Sequence, residues 1–165
     1  MSSKKLNSMR FLEQQKIPYE VFEYDDSRHS AGEVADLIGA SADEVYKTLV
    51  VMPEDAGNKK PLLVLLSAPQ SLDLKKLARA TGYKKVRMAA HDEAEKLTGL
   101  KVGGISSLAL THKNWPVYID QRATQLTHIY MSAGQRGLNL RVPVADFMKV
   151  LKVTVVDCAE ESGNG

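Results

Sequence analysis

Val45-Tyr46-Lys47-Thr48-Leu49-Val50-Val51-Met52 and, after a polar interval, Leu62-Leu63-Val64-Leu65-Leu66 decide the fold class. Both runs are short, rich in valine and leucine, and nearly continuous in apolar residues, which is the pattern of strands covered on both faces. The interval Pro53–Lys60 contains Gly57-Asn58 and predicts a hairpin-like loop. Upstream, Leu6, Met9 and Leu12 recur at helical spacing until Ile17-Pro18 ends the pattern. Tyr19 to Tyr24 then alternates with a strand's period of two. Ser30-Ala31-Gly32-Glu33 has the capping-box form and opens a helix with Val34, Leu37 and Ile38 inward, closed by Gly39. A second box, Ser41-Ala42-Asp43-Glu44, starts a short turn. Downstream the pattern predicts helices over Ser71–Ala80, His91–Leu97 and Val144–Leu151. It predicts strands over Pro116–Asp120, Leu126–Met131, Leu138–Val142 and Val153–Val156. The expectation is a single α+β domain over residues 1–158, with a mixed, mostly antiparallel sheet flanked by helices, and a disordered polar tail over 159–165.

Composition narrows the function. The chain has 165 residues, 44% hydrophobic and 25% charged, and a net charge of +2, so it reads as an ordinary soluble domain whose total charge does not by itself indicate nucleic acid. One cysteine, Cys158, cannot crosslink the chain, and it reads as a small semi-buried residue in a reducing cytoplasm. The N-terminus is not a signal peptide, and no apolar run approaches the ~20 residues of a membrane span. His29, His91, His112 and His128 lack metal-ligand spacing, so no metal is expected. A nucleophile elbow, a Walker loop and a dinucleotide fingerprint are all missing, and no cofactor is expected.

Four features carry chemistry. Lys47 opens an otherwise apolar strand, and its ammonium must face solvent or a cleft. It is either a cation for a phosphate or carbonyl, or a lysine on the wet face of an edge strand. Val102-Gly103-Gly104-Ile105-Ser106-Ser107 is either a nest of amides for an anion or oxyanion, or a tight turn. Ser132-Ala133-Gly134-Gln135-Arg136-Gly137 frames a guanidinium, which clamps an anion or sits exposed on a loop. Lys75, Lys76, Arg79, Lys84, Lys85 and Arg87 cluster within thirteen residues, either to track a phosphate backbone or as the wet face of a helix.

Val45-Tyr46-Lys47-Thr48-Leu49, Gly103-Gly104-Ile105-Ser106 and Gly134-Gln135-Arg136-Gly137-Leu138, in that order and spacing, resemble the YbaK family, free-standing relatives of the editing domain inserted in bacterial prolyl-tRNA synthetase. The resemblance runs from about Leu6 to Val156. It implies a barrel-like editing-domain fold and a cytosolic, metal-free aminoacyl-tRNA deacylase that hydrolyses mischarged tRNA in trans. The Tyr-Lys-Thr-Leu context is most similar to the branch that clears Cys-tRNA(Pro). By position, Lys47 matches the family's essential lysine and Tyr24 a pocket tyrosine. The Gly103–Ser107 loop matches the one whose amides surround the ester, and Ser132, Gly134 and Arg136 fall on another wall. The chain departs from the family at Ser107, where proline is usual, at Asn139, where the cysteine branch has aspartate, and at Ser30, where some members have an aromatic residue.

The chemistry so implied is consistent. One pocket discriminates a methylene by only ~10–200-fold, so a second hydrolytic site supplies the remainder. Gly103 and Gly104 amides would stabilise the oxyanion, Lys47 would hold the terminal adenosine, and water or a group of the substrate, such as its thiol or the ribose hydroxyl, would attack. The expected partners are the 3′ aminoacyl-adenosine end of mischarged tRNA, tRNA(Pro) and prolyl-tRNA synthetase, with the cluster from Lys75 to Arg87 on the tRNA backbone. The alternatives are a deacylase for alanyl, seryl or threonyl esters, a non-catalytic tRNA- or synthetase-binding module, and a Schiff-base enzyme using Lys47.

Overall fold

Leu62–Ser67 forms a strand with every residue buried, and the molecule is built around it. Leu63 and Leu65 point into one apolar cluster, while Leu62, Val64 and Leu66 point into a second on the opposite face. A side chain of this size fully removed from water contributes about 1.5–3 kcal/mol, so the strand anchors two layers at once. The computed structural model describes residues 5–27, 29–54 and 60–161. Gly57-Asn58 of the expected hairpin loop lies outside them.

In chain order the elements are α1 (Asn7–Gln14), β1 (Glu20–Glu23), α2 (Ala31–Ile38), β2 (Tyr46–Pro53), β3 (Leu62–Ser67), α3 (Leu74–Thr81), β4 (Val86–Met88), α4 (His91–Thr98), β5 (Val117–Asp120), β6 (His128–Ser132), β7 (Leu138–Pro143), α5 (Val144–Leu151) and β8 (Thr154–Val156). One sheet has the order β4-β2-β3-β5-β8, the other β1-β7-β6. Strand β2 is antiparallel to β3 and β4, whereas β5 and β8 continue parallel to β3. The smaller sheet is antiparallel throughout. The fold is therefore α+β with mixed, mostly antiparallel pairing. An isolated bridge between Val45 and Tyr130 touches the sheets together, but they do not close into the expected barrel.

The cluster between the sheets takes Tyr46, Val50, Leu63, Leu65 and Ile119 from one and Ile129, Met131, Leu140 and Val142 from the other, sealed by Met9 and Leu12 of α1 and Phe147 of α5. The outer cluster packs Val51, Val64 and Leu66 against Leu77 and Ala78 of α3. In α2 it is Val34 and Ala35 that are buried, whereas Leu37, expected inward, is exposed.

Local patterning missed three details. Strand β4 is only three residues long, with Val86 buried and Arg87 and Met88 exposed, too few to display a period; it exists because Val51, Met52 and Pro53 offer a partner edge. Helix α3 begins at Leu74, not Ser71, because Asp73 caps it by accepting from Lys76 N at 3.0 Å. Residues 71 and 72 instead pair with the chain's end: Leu72 bridges Ala159, and Glu160 N donates to Ser71 O at 2.8 Å. Packed structure thus runs past the expected boundary at 158, and residues 162–165 lie outside the described residues. Cys158 is fully buried, and burial beside Asp120 pushes its thiol up to about 12. The second expected capping box is a 3₁₀ turn over Ala42–Glu44 in which Ser41 makes no side-chain cap.

Candidate active site

The start of β2 brings Lys47 to the rim of a pocket of about 260 Å³. The strand's face alternation puts Lys47 on the side of Leu49 and Val51, directly opposite Leu66 of β3. The half-buried ammonium donates to Ala68 O at 3.1 Å and Gln70 O at 2.7 Å. Loss of solvent lowers its pKa below the ordinary 10.5. Two of its three N–H bonds are thereby used on neutral carbonyls.

The pocket also takes Tyr24, His29, Ser30, Thr48, Val102, Gly103, Ile105, Ser132 and Asn139. Tyr24 follows β1 directly and is tied to the turn before β7 by Tyr24 N donating to Gly137 O at 3.0 Å. Burial raises its phenol pKa, opposed by hydrogen bonding from the Asn139 side chain and the Gly137 backbone. Ser30 closes the predicted capping box, accepting from Glu33 N at 3.2 Å while Ser30 N donates to Glu33 Oε1 at 2.7 Å. Asn139 is buried, and its Oδ1 has no partner.

The glycine loop is built for closeness. Gly103 has φ of +96°, a conformation open to glycine and strained for other residues. At Gly104 a Cβ would lie 2.8 Å from Gln135 backbone, so the two loops touch through glycine alone. Ser132 Oγ donates to Gly104 O at 3.0 Å and Arg136 Nε to Val102 O at 2.7 Å. Arg136 therefore braces the glycine loop and is not part of the pocket lining, and Gly134 is likewise off the lining.

Gly104 corrects the expectation of paired oxyanion donors. It does not line the pocket, and its N–H is already spent on Lys101 O at 2.8 Å. The amides of Gly103 and Ile105, both on the lining, donate to no protein group among the described residues. Ser106 and Ser107 also leave the site: Ser106 Oγ caps a 3₁₀ turn by accepting from Leu108 N at 3.1 Å, and Ser107 lines a separate cleft with Phe11 and Trp115.

Sequence reasoning passed over His29 and Thr48. His29 Nε2 lies 3.0 Å from the Asp25 carboxylate, and its ring tilts against Tyr24 with centroids 6.0 Å apart. The available signal was its place next to the Ser30 cap, directly after the acidic turn. Thr48 was hidden inside an apolar strand, and its buried Oγ1 has no partner.

The basic cluster divides. Lys76 pairs with Asp157 at 3.4 Å and donates to Ala159 O at 3.0 Å. Arg87 makes a two-pronged pair with Glu93 at 2.8 and 2.9 Å. Lys75, Arg79, Lys84 and Lys85 rim a cleft floored by Leu74, Ala78, Tyr83 and Val86, far along β2 from Lys47. No helix among the described residues is long and apolar enough to cross a membrane.

Comparisons with known proteins agree with this architecture. A crystal structure described as a trans-editing enzyme for prolyl-tRNA synthetase superposes with a TM-score of 0.79 at 24% identity, over 97% of this chain and 99% of that one, and so shares the fold. A protein of Enterococcus faecalis named as a Cys-tRNA(Pro)/Cys-tRNA(Cys) deacylase, EbsC, is 36% identical over 143 residues, 86% of this chain and 85% of its own. The multifunctional Ser/Thr-tRNA deacylase ProXp-y of Escherichia coli K12 is 24% identical over 124 residues, 75% of this chain and 74% of its own. Residues 25–150, from the turn beside Tyr24 into α5, match the model of the aminoacyl-tRNA editing domain, and the chain belongs to that family.

Proposed function

We propose that the protein is an aminoacyl-tRNA deacylase acting in trans, with Cys-tRNA(Pro) its main substrate and tRNA(Pro) and prolyl-tRNA synthetase its partners. The observation that carries this reading is the meeting of Lys47 with Gly103 and Ile105 around one small pocket. Its volume of about 260 Å³ lies just below the ~300–1,000 Å³ of sites that enclose whole ligands, which suits the aminoacyl end of a larger substrate.

In this reading the ester carbonyl lies against the Gly103 and Ile105 amides, which accept no reorganisation cost as the oxyanion develops. Lys47, with one N–H left over, holds the ribose or phosphate of the terminal adenosine. Water, held by the free ribose hydroxyl, or the substrate's own thiol attacks the carbonyl carbon; attack by the ribose hydroxyl itself would only shift the acyl group and leave the tRNA charged. The bond to the ribose oxygen breaks, and that oxygen leaves with the proton. Orientation of a group that is already bound supplies much of the rate, since no side chain serves as nucleophile. The cleft rimmed by Lys75, Arg79, Lys84 and Lys85 follows the tRNA backbone. Lys76 and Arg87, committed to carboxylates, contribute less.

A second reading rests on Asn139. Its neutral, unpartnered Oδ1 suits a seryl or threonyl hydroxyl, and the E. coli relative is named for those esters. A panel of cysteinyl-, alanyl-, seryl- and threonyl-tRNA offered to the purified protein separates the two. Fastest turnover is expected on Cys-tRNA(Pro). Hydrolysis of seryl and threonyl but not cysteinyl esters would replace the first reading with the second, and no turnover on any would leave a binding module.

A further inference from the structure

A buried polar chain lies behind Lys47, on the side away from the pocket. Strands β3, β5 and β8 run parallel, so Ser67, Asp120 and the stretch leading to Cys158 end at the same sheet edge, beside the start of antiparallel β2. There Gln70 is clamped at both ends of its amide. Its Oε1 accepts from Ser67 N and Ser67 Oγ, both at 2.9 Å, and its Nε2 donates to Asp120 Oδ2 at 2.8 Å. Asp120 also accepts from Arg122 N at 3.2 Å and, through Oδ1, from Cys158 N at 3.2 Å. Ser67, Gln70 and Asp120 are all buried, with Asp120 only 1% exposed.

Burying a carboxylate without a cation is costly even when it is fully hydrogen-bonded, and apolar residues could close a sheet edge at lower cost. What this chain accomplishes is to lock the turn at residues 68–70. A glutamine held at three points cannot rotate, and Gln70 N donating to Ser67 O at 3.0 Å and Ala68 N to Val45 O at 2.8 Å fix the backbone between them. The carbonyls of Ala68 and Gln70 then face Lys47 Nζ in a set geometry. Because both are neutral, the ammonium is aimed without being neutralised.

We infer that Gln70 and Asp120 are positioning residues for Lys47: the carboxylate locks the Gln70 amide, and the locked turn aims the ammonium into the pocket. The inference rests on the deacylase reading for its effect on turnover, while its effect on Lys47 itself is independent of that reading.

The test uses the full chain with Gln70→Met, which keeps length and removes both polar ends, beside Lys47→Ala and Cys158→Ala. Two quantities are measured: kcat and KM on the ester the wild type hydrolyses fastest, and the rate of Lys47 acetylation by acetic anhydride, read by mass spectrometry. Gln70→Met is expected to lower kcat about tenfold with KM within about twofold, the scale of a small misplacement of a reacting group, and to speed Lys47 acetylation. Cys158→Ala loosens the same buried cluster from its far side, and is expected to lower Tm while leaving both readouts at wild-type values. If Gln70→Met does not fold, Asp120→Asn, with one acceptor oxygen in place of two, should show the same pattern more weakly. Wild-type kcat and labelling in the Gln70 or Asp120 variant would overturn the inference, as would an equal kcat loss in Cys158→Ala. Full turnover in Lys47→Ala would remove the deacylase role of Lys47, and the labelling rate would still decide whether Gln70 aims it.

Discussion

The two ends of β2 handle positive charge in opposite ways. At its start, Lys47 is half-buried, bonded to two backbone carbonyls, and joined by no carboxylate in an ion pair among the described residues. At its far end, where Met52 pairs with Arg87, the cations Lys84, Lys85 and Arg87 are exposed, and Arg87 is held by Glu93. A charge paired with a carboxylate in water has little left to offer a ligand and adds little to stability. A charge kept from water and given only neutral acceptors retains its field for whatever enters the pocket. Positive charge is thus left with neutral partners at one end and paired at the surface at the other.

Removing the cation at the pocket end should produce the largest effect. Lys47→Ala is expected to lower kcat by about 10²–10³, the scale of losing one preorganised electrostatic contact, with the circular dichroism spectrum and Tm retained. Because burial depresses the Lys47 pKa, enzymatic turnover above the background hydrolysis should fall as pH rises through a value below 10.5. The sign for stability is opposite. The folded protein disfavours the charged form, so unfolding free energy rises across the window between the depressed value and 10.5. An alkaline limb at or above 10.5 would erase the contrast between the two ends.

Next in size is Gly104→Ala. Its methyl would meet Gln135 and Arg136 backbone within 2.9 Å, and backbone cannot swing aside. The loops must part, carrying Gly103 with them, and a fall of about tenfold or more in kcat is expected together with a lower Tm.

A smaller effect is expected from reversing charge on the cleft rim. Lys75→Glu with Arg79→Glu should raise KM for full-length charged tRNA several-fold and flatten its dependence on salt, as lost phosphate contacts do. Turnover of a short aminoacyl-nucleotide should not change. Equal losses on both substrates would place the cleft's influence in the pocket instead.

The smallest effect is expected at Arg87. Its pair with Glu93 is exposed, and Arg87→Gln should leave turnover at the wild-type value and Tm nearly so. The guanidinium holds the Glu93 carboxyl at about 2, so the pair's contribution is present above 4.5 and fades as pH falls towards 2. Acid titration of Tm in the variant and the parent tests that sign.

Much of the fold was legible because its signals are local. An apolar run at 62–66 has to be covered on both sides, Ser30 and Glu33 cap each other within one helical turn, and Gly39 and Gly99 take the left-handed closing position their helices need. Strand β4 was not legible, since three residues carry no period and only the edge of β2 makes them a strand. The candidate site divides in the same way. Lys47, Tyr24, Ser30, Gly103, Ile105, Ser132 and Asn139, anticipated from the sequence, do line one pocket. Ser107 faces another cleft, and Gly104 has its amide occupied, because the course of a loop after two glycines depends on the wall it meets.

By itself, then, the sequence determined most of the strands and helices, β4 excepted, and that an ammonium would emerge from an apolar strand. Those outcomes follow from hydrophobic period and capping within a few residues. Only the tertiary structure decided that Ser67 and Gln70 would meet Asp120, 50 residues further along the chain from Gln70, behind Lys47, and which cations would be neutralised. Hydrogen bonds and ion pairs act over a few ångströms of space, and nothing in their spacing along the chain shows which of them will meet.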